Sequence, residues 1–177
     1  NNFIRQIADT LPHYRLSGIN IDFEEITENT NEPLTAFQQK LYYTLHGRNM
    51  QVSMDVMPGN NDYDYTKLSA YNDFIILMAY DQFNNATGPG PVSAQKWIED
   101  AVSRASDKID PSKIILGVAG YGYRWSDGVM DSIPLTYNDA INKAKAVNAR
   151  IVFENDTYNL HYSYNTTSAD DSADVVH

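Results

Sequence analysis

The chain contains no cysteine. Disulfides and thiolate metal sites are thereby excluded, but the compartment stays open, because exported bacterial proteins also do without cysteine. Basic residues are scarce too: 13 Lys and Arg stand against 23 Asp and Glu, for a formal net charge of −10. A phosphate backbone is gripped by clustered Lys and Arg, and none cluster here, so nucleic acid is not an expected partner. An anionic membrane surface is not an expected partner either, on the same ground. No apolar run approaches the roughly 20 residues that span a bilayer, so no membrane insertion is expected. No signal peptide opens the chain. The opening "NNFIRQIADTL" reads as a helix already under way and the closing "DSADVVH" as the start of a strand. Both ends are therefore expected to be cut from a longer chain, which makes the missing signal uninformative. The histidines, His13, His46, His161 and His177, lie at no metal-ligand spacing, so no metal site is expected.

What is present suits one globular domain, or most of one: 177 residues, of which 42% are hydrophobic. Tyrosine is abundant at 13 copies, which fits either carbohydrate contact or a tyrosine-rich core. Along the chain, helical spacing in residues 2–12 gives way to a strand in "LSGINIDFEEI". A helix follows over "PLTAFQQKLYYTLH", then a strand in "MQVSMDVMP" stopped by Pro58 and Gly59. "DYTKLSAYN" reads as a short helix, "DFIILMAYD" as an apolar strand, "SAQKWIEDAVSRAS" as a helix and "KIILGVAGYGYRW" as another apolar strand. Helices alternating with apolar strands imply an α/β fold with a parallel sheet. No glycine-rich phosphate loop follows any strand, which argues against a nucleotide-binding doubly wound fold. After Trp125 a helix and two short strands read as a small α+β insertion.

Polar residues gather at the C-terminal ends of the strands, where a (β/α)8 barrel carries its active site. Strand periodicity puts Asn20, Asp22 and Glu24 on one face and Ile19, Ile21 and Phe23 on the other. The polar face points either into a barrel or, on an edge strand, into water. Neighbouring carboxylates in a confined site resist ionising together, which leaves one as a general acid. Asp55 shares a strand face with Ser53 and Met57; it points inward near Asp22 or caps a turn. Asp81 is a sugar-hydroxyl or acid–base neighbour, or a helix cap. Met78 belongs to the core or to a pocket wall, and Tyr121 and Tyr123 stack on sugar or simply pack.

"SGINIDFEE" resembles the fourth-strand signature of glycoside hydrolase family 18, the chitinase-like enzymes, through Gly18, Asp22 and Glu24. Ser17 and Asn20 stand where that pattern most often has Asp. "LMAYDQF" is similar to the family's sixth-strand motif through Met78, Tyr80 and Asp81. "ILGVAGYGYRW" is similar to the seventh-strand motif through Gly117, Tyr121, Gly122 and Trp125, with Ala119 in place of the usual Pro. "NIDFE" with "GPGP" looks closest to bacterial branches that include spore-cortex and cell-wall N-acetylglucosaminidases.

The resemblance implies a partial (β/α)8 barrel of about strands four to seven over residues 1–127, with an α+β insertion over 128–177. It implies a retaining, substrate-assisted hydrolysis of β-1,4-linked N-acetylglucosamine polymers, chitin or peptidoglycan, outside the two-carboxylate scheme. Glu24 would be the acid, Asp22 would stabilise the developing positive charge, and Tyr80 would orient the acetamido oxygen. Asn20, Asp55, Met78, Asp81 and Tyr121 would contact substrate. No cofactor and no metal are implied, and the place of action would be extracellular or in the cell envelope. The rival within the family is an inactive, carbohydrate-binding lectin. Half a barrel would also leave strand edges for the missing half, or for a second copy, to cover.

Overall fold

The computed structural model describes residues 2–24, 26–27, 29, 31–126, 132–165 and 173–177. The elements, in chain order, begin with α1 (Asn2–His13), β1 (Gly18–Ile21), α2 (Glu32–His46), β2 (Gln51–Val56), α3 (Tyr65–Ala70) and β3 (Phe74–Met78). They continue with α4 (Gln95–Ser106), β4 (Ile114–Gly117), β5 (Tyr121–Ser126), β6 (Ser132–Thr136) and α5 (Tyr137–Ala146). Three strands complete the set: β7 (Val152–Glu154), β8 (Asn159–Asn165) and β9 (Ala173–Val176). Contacts divide the chain into two compact units that interleave in sequence. The first takes Asn1–Met78 and Ala101–Gly117, the second Ala79–Asp100 and Val118–His177. The sequence reading drew one boundary, after residue 127. Of its expected insertion, residues 128–131 and 166–172 lie outside the described residues.

The first unit is the parallel α/β sheet expected from the alternation of helices and apolar strands. Its strand order is β1-β2-β3-β4, every neighbouring pair parallel. The register aligns Ile21, Met54, Ile75 and Ile114 in one row. Val52, Met54, Val56, Ile75 and Leu77 alternate along β2 and β3 and are almost fully buried with the helices' apolar residues. α2 shows why its sequence is helical. The Asn31 side chain caps it by accepting from the Leu34 N–H at 2.9 Å, and Pro33 sits in the first turn, where its missing N–H costs nothing. Leu34, Gln38, Leu41 and Leu45 then form one buried stripe. Within that stripe Gln38 donates to Asn72 Oδ1 at 2.6 Å, and Asn72 donates onward to the Leu68 carbonyl at 2.8 Å. Each buried leucine contributes about 1.5–3 kcal/mol.

Two apolar runs break earlier than their patterning suggests. β1 stops at Ile21 rather than continuing to Glu24. Past that point the Phe23 carbonyl accepts the Tyr63 hydroxyl at 2.8 Å instead of a strand N–H. The run from Ile114 to Trp125 splits into β4 and β5. β4 ends with Gly117, which pairs with Met78, the last residue of β3, so no ladder partner remains beyond it.

The second unit is an antiparallel sheet of order β6-β5-β9-β8-β7 with α5. Thr136 caps α5 by accepting from the Asp139 N–H at 3.1 Å. The unit's own core gathers Ala144, Tyr162 and Val176. An apolar cleft of about 430 Å³ opens among residues that include Tyr121, Tyr137, Tyr158 and His177.

Candidate active site

The side of the parallel sheet that faces away from the helices carries the first group of candidates. Asn20 on β1 pairs with Ser53 on β2, and the Ser53 hydroxyl donates to Asn20 Oδ1 at 2.7 Å. That contact fixes the amide's orientation. One row further toward the C-terminal ends comes Asp55, which pairs with Ile76 of β3. Asp22 follows directly on Ile21, the last residue of β1, and is exposed. Burial raises the Asp55 carboxyl above its ordinary value, the Asn20 amide beside it pulls down, and the Asp22 charge raises it further. Asp55 is half-buried, and its Oδ1 is sealed from solvent. Met78 closes β3 on the same face and is 5% exposed.

Asp22 and Glu24 lie just past the strand and line an open hollow with Phe23 and Ile26. The backbone between these two carboxylates is tied down by Tyr63, a residue that sequence reasoning did not single out. Its hydroxyl donates to the Phe23 carbonyl, one residue from each acid. Tyr63 is 4% exposed, and its hydroxyl is pushed up to about 12, first by burial and then by the Glu24, Tyr65, Asp22 and Asp55 charges. It therefore remains a donor across the neutral range. Tyr63 lies in a polar loop without periodicity, so only its place directly before the Asp64 cap of α3 could have drawn notice.

The other candidates belong to the second unit and form a cluster of their own. Asp81 adopts φ 57°, a left-handed conformation rare for residues other than Gly. Its Oδ1 accepts from Tyr121 at 2.5 Å and from Tyr123 at 2.8 Å. Tyr121 and Tyr123 are two apart on β5 and so share a strand face. Both hydroxyls are held above their ordinary value, by burial first and by Asp81 next, and stay protonated as donors. Tyr80 is half-buried, with its ring edge-on to Tyr121 at 6.3 Å. No helix follows Asp81 directly, so it caps none. Tyr123 is the second residue whose part sequence left open between stacking and packing: it holds a carboxylate. Among the described residues no cluster of His, Asp and Glu has the makings of a metal site.

Acids at the C-terminal ends of parallel strands stand where α/β enzymes of many chemistries carry their active sites. The family model for glycosyl hydrolases family 18 matches residues 1–175, and the chain belongs to that family. Among curated relatives, the uncharacterized glycosylase YvbX of Bacillus subtilis (strain 168) is 27% identical over 173 residues, covering 92% of this chain and 50% of that protein. The cortical fragment-lytic enzyme of Bacillus anthracis is 22% identical over 93% of this chain and 41% of its own length. Among solved structures, a chitinase from Chromobacterium violaceum matches with a TM-score of 0.90 and 28% identity, over 98% of this chain and 56% of the other. The chain thus spans about half the length of the curated relatives it matches.

Proposed function

We propose that the protein hydrolyses β-1,4 bonds in N-acetylglucosamine-containing polysaccharide, with retention of configuration and with the substrate's own acetamido group as nucleophile. The observation that carries this reading is the pair of acids at the C-terminal end of β1, whose connecting backbone is fixed by the Tyr63 hydroxyl. In it Glu24 protonates the glycosidic oxygen and Asp22 stabilises the positive charge on the acetamido group. Tyr80 directs the acetamido oxygen, while Asn20, Asp55, Met78, Asp81 and Tyr121 contact the sugar. Orientation of the internal nucleophile lowers the entropic part of the barrier. A fixed negative charge next to the developing cation lowers the electrostatic part.

The β1–β4 sheet is, on this reading, about strands four to seven of a (β/α)8 barrel, and the antiparallel unit is its α+β insertion. Relatives named for chitin and for spore-cortex fragments support a chitin or peptidoglycan substrate and action outside the cell or in its envelope. The test is turnover of chitooligosaccharides and of peptidoglycan fragments by the parent and by Glu24→Gln. Loss of a general acid costs roughly 10²–10⁴ in rate, so Glu24→Gln is expected to fall by that much while still binding sugar. Binding without turnover in the parent would assign the chain to the lectin class instead.

A further inference from the structure

Asp81 is held by two phenols and by no cation. Tyr121 and Tyr123 both donate to its Oδ1, at 2.5 Å and 2.8 Å, and Oδ2 takes neither bond. No ion pair among the described residues involves Asp81. Its backbone is fixed as well. The turn at φ 57° is closed by Asn84, whose Nδ2 donates to the Asp81 carbonyl at 3.3 Å. The next residue, Gln82, donates its N–H to the Val92 carbonyl at 2.9 Å and accepts the Ala94 N–H on Oε1 at 2.8 Å. Tyr123 is anchored on β5, where its N–H donates to the His177 carbonyl at 2.9 Å and its carbonyl accepts the His177 N–H at 3.0 Å. Its ring lies 5.6 Å from that of Tyr121 and 5.5 Å from that of the buried Trp125. Asp81 and both tyrosines are half-buried, so a ligand can reach the group.

A phenol has one hydrogen to donate, and each oxygen of a carboxylate has two lone pairs to accept with. Both phenol hydrogens are spent on Asp81, and together they fill Oδ1. Burial first and Asp81 next keep the two phenols protonated. What remains for a ligand is Oδ2 and the phenol oxygens, all of them acceptors. We propose that Tyr123 is a positioning residue that sets the hydrogen-bond polarity of this corner: by giving its hydrogen to Asp81 it leaves an acceptor-only surface, which takes a sugar through a free hydroxyl. A ligand carbonyl or carboxylate finds no donor there, and an acceptor left facing acceptors is costly. A hydroxyl blocked by an ether or an ester is turned away for the same reason. That the ligand is a sugar, and that Asp81 and Tyr121 touch it, rest on the function proposed above, whereas the polarity of the cluster does not.

The experiment measures equilibrium binding of chitotetraose to the Glu24→Gln protein, where cleavage does not intervene, and of the same sugar methylated at one hydroxyl position at a time. Methylation of the hydroxyl that meets Asp81 should weaken binding on the order of tenfold to a hundredfold, the size of one hydrogen bond to a charged group. Tyr123→Phe, added to the same protein, keeps the ring and removes only the hydroxyl. It opens a lone pair on Oδ1 and frees the carboxyl to turn, so the penalty at that one position should shrink while the penalties elsewhere stay. A purely structural part for Tyr123 would weaken every sugar alike and leave the penalty as it was, which overturns the proposal. A series in which no position is penalised overturns it too. A second arm needs no sugar: a carbon-13 NMR titration of the Tyr123 ring in the parent and in Asp81→Asn. The Tyr123 midpoint should stand above the ordinary tyrosine value of about 10. In Asp81→Asn it should fall without reaching that value, because burial remains. A midpoint that does not move shows that the hydrogen is not given to Asp81 and overturns the proposal. If the midpoint falls and no sugar binds, the sugar as ligand fails together with the hydrolase reading and the acceptor-only polarity stands, so the two failures are told apart.

Discussion

A single carboxyl shows how the site's chemistry is written into stability. Asp55 has its proton affinity raised in the folded state, burial being the main cause. A group raised in this way contributes stability that is complete below its unfolded value and is lost as pH rises through its folded value. Asp55→Asn, which cannot ionise, is therefore expected to be more stable than the parent at neutral pH and to show no such gain in strong acid. Urea midpoints at the two pH values check this, and a gain that is largest in acid would reverse the sign. Asp22 and Glu24 drew notice through one short motif and Asp81 through a second, because the spacing within each is local. Tyr63 did not, since its partner, the Phe23 carbonyl, is 40 residues away in the chain. The double donation from Tyr121 and Tyr123 to Asp81 was hidden for the same reason. Sequence shows that tyrosines are plentiful, but not which oxygen each one reaches.

Elements were legible where a period ran long. α2 follows its leucine stripe, and β2 and β3 follow their apolar residues. Ends were not, because a strand stops where its neighbour stops: Met78 and Gly117 finish together as paired residues. Gly18 shows how closely such neighbours meet. A Cβ added there would collide with the Gln51 carbonyl oxygen, part of the backbone that pairs β2 with β1. Gly18→Ala must push β1 off its register, and with it Asn20 and the two acids that follow. Forced shifts of this kind cost about 1–3 kcal/mol, so a lowered thermal midpoint is expected. Sugar affinity should drop along with it. An unchanged midpoint would show that the strand gives way without strain.

For the whole molecule, the parallel sheet ends in β1 on one side and β4 on the other, with no further strand among the described residues. On β4, Ile115 is 46% exposed and Leu116 41%, although their positions in the ladder alternate between the two faces of the sheet. Side chains on both faces of that strand are thus exposed. A polypeptide extended to the length of the curated relatives should therefore hydrolyse chitooligosaccharides faster than these 177 residues alone. Equal rates for the two would count against the partial-barrel reading.

The interleaving of the two units has a consequence for synthesis. The chain passes from one unit to the other after Met78, after Asp100 and again after Gly117. Three strands of the parallel sheet leave the ribosome early, but β4 follows only after the stretch from Ala79 to Asp100, which is counted with the other unit. At the 5–20 residues per second typical of translation, β3 waits seconds for its neighbour. During that interval its open edge is a place where a nascent chain can pair wrongly, and a chaperone would have reason to hold it.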